Sequence, residues 1–395
     1  MTMRDVYVSG TGVTKFGLQL DRNLKDLSAD ATNQALKDAG CEVSDIQSVY
    51  FGNCLLGMVT GLEANRGAIT MMPMGFGRVP FQDIENACAT GANAMHIGWL
   101  AVASGLYDTV LVVGAEKLNL DDRVKTFAAY DSGFDPEEPA FEQGEGSGVN
   151  RTSSVDRQAT LAKRVMEKFD VDETHFGRLA AISHLNGSLN PKAHRTAGLD
   201  YDAIMSDRVV VSPLTRAMLC PISDGAAAVV LTSKKPVEKD RRIRLTGSRM
   251  ASRMAFDDPD GPAAAYTVAQ QTYEAAGVAP EEIDVAAIHD ASVSYEITSI
   301  SYTGLCPPGE ERAWIENGEF GITGRMPINT AGGQIARGHP VGATGVAQIA
   351  ELADQLRGRA GAMQVDNPRV ALAHIAGGVI RFETAAAGAH ILVKD

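Results

Sequence analysis

Short apolar runs and longer helix-period stretches alternate along this chain. VYVSG (Val6–Gly10), TVLVV (Thr109–Val113), GAAAVVLTS from Gly225, IRLTG (Ile243–Gly247), DVAAI from Asp284, RVALA (Arg369–Ala373) and AAAGAHILV from Ala385 read as strands. Between them, ANAMHIGWLAVASG from Ala92, LAKRVMEKF from Leu161, FGRLAAISHLNGS from Phe176 and VAQIAELADQLRG from Val346 carry the period of helices. Alternating strands and helices predict an α/β protein. The helix from Ala89 to Ser104 is apolar almost all round, so it is expected to lie buried between two sheets.

The pattern occurs twice. Val6–Gly10 resembles Ile243–Gly247, and at the same offset Leu36–Phe51 falls on Tyr273–Ile288, both reading helix end, Ala-Gly stop, acidic turn and short strand. Ala89-Thr90-Gly91 then matches Ala343-Thr344-Gly345, each opening a helix, and TVLVV matches RVALA. Four matches in one order predict two β-α-β-α-β halves and a five-layer α-β-α-β-α core, one sheet per half, with central helices between the sheets. The expected division is 1–117 with 219–240 as the first half, 118–218 as an inserted lobe and 241–395 as the second half, which carries a smaller insertion at 303–322.

The chain has 395 residues, 45% of them hydrophobic, enough for a large core and too apolar for intrinsic disorder. A net charge of −13 without a Lys/Arg block argues against nucleic acid as a partner. No apolar run of about 18 residues predicts a membrane span. MTMRDVYVSGTG has no apolar signal region, and the five cysteines form neither a disulfide framework nor a C-x-x-C pair. These features predict a protein of the reducing cytoplasm. No metal is expected, because H-E-x-x-H and close H-x-H spacings are missing.

One cysteine and three histidines stand at strand or helix junctions. Cys88, in NACATGANAM, precedes the buried helix, where the positive helix end and free backbone N–H groups are expected to lower its pKa and bind an oxyanion. His339, in GGQIARGHPVGATG, lies three residues before the matching helix start, opposite Cys88 if the halves pack about a pseudo-twofold axis. That places it as the base that activates the thiol. His289 ends DVAAI and His374 ends VALA, both where open α/β sheets gather ligand groups. His96, His175, His184, His194 and His390 lack such frames and are assigned no catalytic role.

NACATGANAMHIGWLAVASG, GGQIARGHPVGATG and LCPISDGAAAVVL resemble the nucleophile, GHP and dimer-core motifs of thiolases, and the resemblance covers nearly the whole chain. HDAS, and a histidine where a C-terminal Cys-x-Gly motif would stand, resemble the sterol-carrier-protein branch. The resemblance implies acyl transfer between carbon and coenzyme A, in lipid metabolism, with no permanently bound cofactor and coenzyme A or acyl-CoA as substrate. It implies that Cys88 carries the acyl group, that His339 is its base, and that His289 completes one oxyanion hole. The Cys88 N–H with Gly377 or Gly378 would form the second hole, and the lobe would hold coenzyme A. His374 stands where the family keeps its second acid/base thiol, and Ala291 removes the alternative cysteine. A homodimer or homotetramer is implied. Two alternatives stay open. One is a thiolase-like retro-aldolase of β-hydroxyacyl-CoA, including steroid side chains, with an OB-fold, zinc-ribbon partner and with Tyr295 as a candidate participant. The other is a non-catalytic acyl-CoA-binding scaffold.

Overall fold

The computed structural model describes residues 3–135, 137, 147, 150–252, 263–380 and 383–395. Its main strands are β1 (Tyr7–Val13), β2 (Val49–Gly52), β3 (Phe81–Ile84) and β4 (Thr109–Glu116), then a lobe hairpin of β5 (Val209–Val211) and β6 (Leu214–Thr215). There follow β7 (Gly225–Thr232), β8 (Ile243–Ala251), β9 (Val285–Ala287), β10 (Val370–Ile380) and β11 (Glu383–Lys394). The nine-stranded sheet runs β3-β2-β4-β7-β1-β8-β11-β10-β9. Read outward from its middle, the order repeats: β1 and β8, β7 and β11, β4 and β10, β2 and β9. A parallel bridge from Ala286 to Ile328 occupies the place in the second half that β3 holds in the first. The duplicated sequence therefore folds as a duplicated structure.

One detail departs from the expectation of a sheet per half. The two half-sheets touch edge to edge, through the Tyr7–Arg244 pair and the Leu245 N–H donating to the Val6 carbonyl at 2.9 Å. Both edges belong to the repeated strand; the contact is one residue pair wide, and carbonyls beside it are met by side chains, that of Val8 by Arg357 and that of Leu245 by Trp99 Nε1 at 2.8 Å.

The five layers follow from burial. Helix Leu24–Ala39 starts at an Asn23 cap that accepts from the Lys25 and Asp26 N–H groups, and stops at Gly40 in the left-handed conformation, φ 65°. Its Leu27, Ala31 and Ala35 pack on the outer face of the first half-sheet. Helix Ala264–Ala276, ended likewise by Gly277 (φ 66°), packs its Ala264, Val268 and Ala269 into the core on the outer face of the second. Between the half-sheets lie the central helices Thr90–Ala103 and Thr344–Leu356, whose Met95, Trp99, Val346 and Ile349 share one core with Val112, Val229 and Ala373. They meet at their N-termini. A Cβ on Gly91 would stand 2.8 Å from the Val346 nitrogen, and one on Gly345 would stand 2.4 Å from the Ala92 nitrogen. Only glycine permits that crossing.

Between β4 and β7 the lobe holds helices Arg123–Asp131, Ser153–Phe169, Glu173–Ser188 and Tyr201–Met205 and the β5–β6 hairpin. Among the described residues no helix is long and apolar enough to cross a membrane.

Candidate active site

Cys88 lies in a 3-10 turn, Ala87–Ala89, that leads into the first central helix. Ala87 adopts φ 47°, an uncommon conformation for a residue with a side chain. The turn is fixed on both sides. The Ala87 N–H donates to the Glu85 carboxylate at 2.6 Å, and the Thr90 hydroxyl donates to the Ala87 carbonyl at 2.6 Å while accepting from the Asn86 N–H at 2.8 Å. The strained turn presents the half-buried Cys88 to a cleft of about 110 Å³ that is also lined by Cys54, His289, Tyr295, Gly377 and Gly378. Gly377 is where β10 passes the Cys88 turn, since a Cβ there would stand 2.3 Å from the Ala89 nitrogen. Gly378 follows in the left-handed region, φ 65°.

The thiol does not behave as its helix position alone predicts. Burial, with Glu116 and then Glu85 nearby, pushes Cys88 up to about 12; its backbone hydrogen bond acts in the expected downward direction but is outweighed. The resting proton therefore sits on sulfur.

His339 is buried in the turn before the second central helix. Its Nδ1 lies 2.7 Å from the Thr344 hydroxyl, which itself donates to the Pro340 carbonyl at 3.0 Å. The hydroxyl has one proton, so Nδ1 carries the imidazole hydrogen and Nε2 keeps its lone pair. Nε2 is buried without a hydrogen-bond partner, and neither ring nitrogen bonds the Cys88 thiol. Burial first, then Arg337, lowers His339 to about 3, so it is neutral at physiological pH.

His289 has the opposite tautomer. The Gln334 amide donates to its Nδ1 at 3.0 Å, which leaves the hydrogen on Nε2. Its ring stands edge-on to those of His339, at 6.2 Å between centroids, and Tyr295, at 5.0 Å. One histidine thus offers a bare acceptor and its neighbour a donor.

His374, on β10, is separate. It lines an adjoining cavity of about 210 Å³ rather than the Cys88 cleft, and the two share Tyr295, Ala376, Val379 and Thr384 as walls. Neither of its ring nitrogens has a hydrogen-bond partner, and burial lowers it to about 4. Of the histidines given no catalytic role, His96 and His390 both bond the Ser248 hydroxyl, at 3.0 and 2.9 Å, and His184 bonds the Ala217 carbonyl at 3.0 Å.

Sequence reasoning missed three groups. Glu116, at the end of β4, is fully buried and accepts from the Cys54, Leu55 and Gly342 N–H groups at 3.0, 3.1 and 2.9 Å and from the Asn53 amide at 2.9 Å. Burial outweighs those donors and raises it to about 7. Asp290 accepts from the Gln334 and Ile335 N–H groups at 2.7 and 3.3 Å and so holds the turn that orients His289. Cys54 brings a second thiol to the cleft, 3.3 Å from the Glu85 carboxylate. The Asp290 signal was present in HDAS, whereas nothing local marks Glu116 or Cys54.

Two family models match in register with the halves. One described as the thiolase N-terminal domain covers residues 6–197, and one described as thiolase C-terminal domain-like covers 246–390. The chain belongs to the thiolase family. This thiolase is 33% identical to an acetyl-CoA acetyltransferase of Methanothermobacter thermautotrophicus over 388 residues, covering 95% of this chain and 97% of the relative. It is 30% identical to sterol carrier protein 2 of Oryctolagus cuniculus, covering 93% of this chain and 69% of that protein, in keeping with the sterol-carrier-type motifs. Its fold matches the solved Ltp2-ChsH2(DUF35) aldolase with a TM-score of 0.77 at 22% identity, covering 99% and 98% of the two chains.

Proposed function

We propose that this thiolase transfers acyl groups between carbon and coenzyme A, cleaving a 3-ketoacyl-CoA or forming one by Claisen condensation, through an acyl thioester on Cys88. The observation that carries the reading is a pair of opposite tautomers at the Cys88 cleft: His289, which lines it, with an Nε2 hydrogen, and His339, 6.2 Å from it ring to ring, with a bare Nε2.

In cleavage, His339 Nε2 takes the Cys88 proton as sulfur attacks the keto carbon. Transfer and attack must be coupled, because a separate proton transfer would run uphill, from a thiol near 12 to a base near 3. Charge on the keto oxygen is taken by the Cys88 N–H and by Gly377 or Gly378 at the end of β10. The bond between keto carbon and α-carbon breaks, its electron pair stays on the α-carbon, and the proton that His339 took from Cys88 is passed on to that carbon, which releases acetyl-CoA and leaves the shortened acyl group on sulfur. His289 Nε2–H stabilises the thioester oxygen of that leaving molecule. The thiol of free coenzyme A then attacks the Cys88 thioester, its proton passes by way of His339 to the departing Cys88 sulfur, and the shortened acyl-CoA leaves the restored enzyme. His374 is the proposed carrier of the α-carbon proton, and the lobe the proposed seat of coenzyme A.

Incubation with acyl-CoAs of several lengths should add the acyl mass to the intact protein and to no Cys88→Ala sample. An unmodified wild-type protein across the series overturns the reading. The lack of a thiol at position 374, with Tyr295 edge-on to His289, favours one second reading: retro-aldol cleavage of a β-hydroxyacyl-CoA with an OB-fold, zinc-ribbon partner. Thiolysis consumes free coenzyme A and retro-aldol cleavage does not, so omission of coenzyme A separates them. A homodimer or homotetramer, and a cytoplasmic location, complete the proposal.

A further inference from the structure

The cavity beside the Cys88 cleft carries, besides His374, a row of cations that the reaction just described does not use. One wall is a face of helix Ser153–Phe169, where Arg157, Arg164 and Lys168 recur at helical spacing, seven and four residues apart. At 1.5 Å per residue this row spans about 16 Å along the helix axis. The facing wall is helix Val293–Tyr302, which contributes Tyr302. Ala376 and Val379 of β10 are walls of both the cavity and the Cys88 cleft.

Charge is distributed unevenly along it. No carboxylate is among the described lining residues. Arg157 lies near the cleft end, its guanidinium 4.2 Å from the centroid of the Phe134 ring, which lines the Cys88 cleft. Lys168 lies at the far end, exposed, with its ammonium 3.0 Å from the Tyr302 hydroxyl. An ammonium carries three donors, so that single bond leaves Lys168 able to bind a second acceptor. Leu161, Val165, Ala376 and Val379 give the cavity an apolar strip, beside which Thr160, Thr298 and Ser299 also line it. A hydrocarbon chain can lie along that strip, and Ala376 and Val379, which are walls of both spaces, carry it on from the Cys88 cleft.

We propose that this cavity receives the acyl chain and that its cations bind a carboxylate at the chain's far end, making this thiolase selective for ω-carboxyacyl-CoA substrates. The inference rests on the acyltransferase reading, because it takes the acyl group to hang from Cys88. The carboxylate would gain charge-assisted hydrogen bonds from Arg164 and Lys168 while the methylenes cover Leu161, Val165, Ala376 and Val379.

Binding in a Cys88→Ala background tests this without turnover. Adipoyl-CoA and suberoyl-CoA are compared with hexanoyl-CoA and octanoyl-CoA, which match them in length and lack the second carboxylate. The unaltered cavity should prefer the carboxylated member of each pair by about tenfold or more, the scale of one charge-assisted contact. Arg164→Gln with Lys168→Met should abolish that preference, and Lys168→Glu should reverse it. Both positions are exposed, so the fold tolerates the changes, and circular dichroism checks that it does. Three results overturn the proposal: no preference in the unaltered cavity, a preference that survives both sets of changes, or an equal loss of affinity for all four thioesters and for free coenzyme A. The last would mean that the cations hold coenzyme A phosphates. Absence of a Cys88 adduct in the wild type would instead defeat the acyltransferase reading, and it leaves the binding comparison standing on its own.

Discussion

His374 differs from a generic histidine in being buried with no hydrogen-bond partner at either nitrogen, with its pKa lowered to about 4. At neutral pH it is a base, suited to removing an α-proton in condensation. If it has that role, His374→Ala should leave acylation of Cys88 by acetyl-CoA nearly intact and slow the carbon–carbon step by about 10²–10⁴-fold. His339→Ala should suppress the acylation itself. Single-turnover kinetics separates the two steps. Turnover of His374→Ala at the wild-type rate would move the proton to Cys54, which lines the Cys88 cleft directly and whose thiol burial pushes well above its ordinary range. Cys54→Ala would then carry the loss.

At the scale of elements, two contacts hold the catalytic turns together, and each yields a prediction. Glu116 ties the loop after β2 to the turn before the second central helix. Glu116→Ala would strand three buried N–H groups, with a cost of about 3–5 kcal/mol and a clear drop in Tm. Gly345→Ala would put a methyl against the Ala92 backbone and is expected to cost about 1–3 kcal/mol through overpacking. Urea denaturation measures both, and a variant as stable as wild type refutes its case. These contacts also mark what the sequence reveals. The repeat, the buried helix and the Gly-framed histidines were legible because period and spacing are local. Glu116 was not, since TVLVVGAE reads as a strand that simply ends in a polar residue. Its partners lie 61 and 226 positions away, and only folding brings them near. The joining of the half-sheets was invisible for the same reason.

For the whole molecule, buried histidines tie stability to pH. His390 takes no part in the chemistry proposed above and is lowered to about 3, first by burial. In the unfolded chain it titrates near 6.5. Its neutral form therefore contributes stability that is fully present above pH 6.5 and is lost as pH falls toward 3, because only the unfolded chain takes up the proton. His390→Gln removes that linkage. Denaturation at pH 7 and pH 5 should show the wild type losing about 2 kcal/mol more than the variant over this interval, from about 1.4 kcal/mol per pH unit below 6.5. Parallel losses would show that His390 titrates alike in both states.

The crossing at Gly91 and Gly345 also sets an order of events in time. In the proposed mechanism the first half supplies the nucleophile and the second supplies the base, so neither half would hold a working site before the two central helices interlock. Their partners are more than two hundred positions apart, and such contacts form late in folding. During refolding, helical signal and the near-ultraviolet signal of each half should therefore return before Cys88 becomes acylatable. Reactivity at a single sulfur becomes a clock for the docking of two halves, and Gly345→Ala should delay that clock more than it delays the recovery of secondary structure.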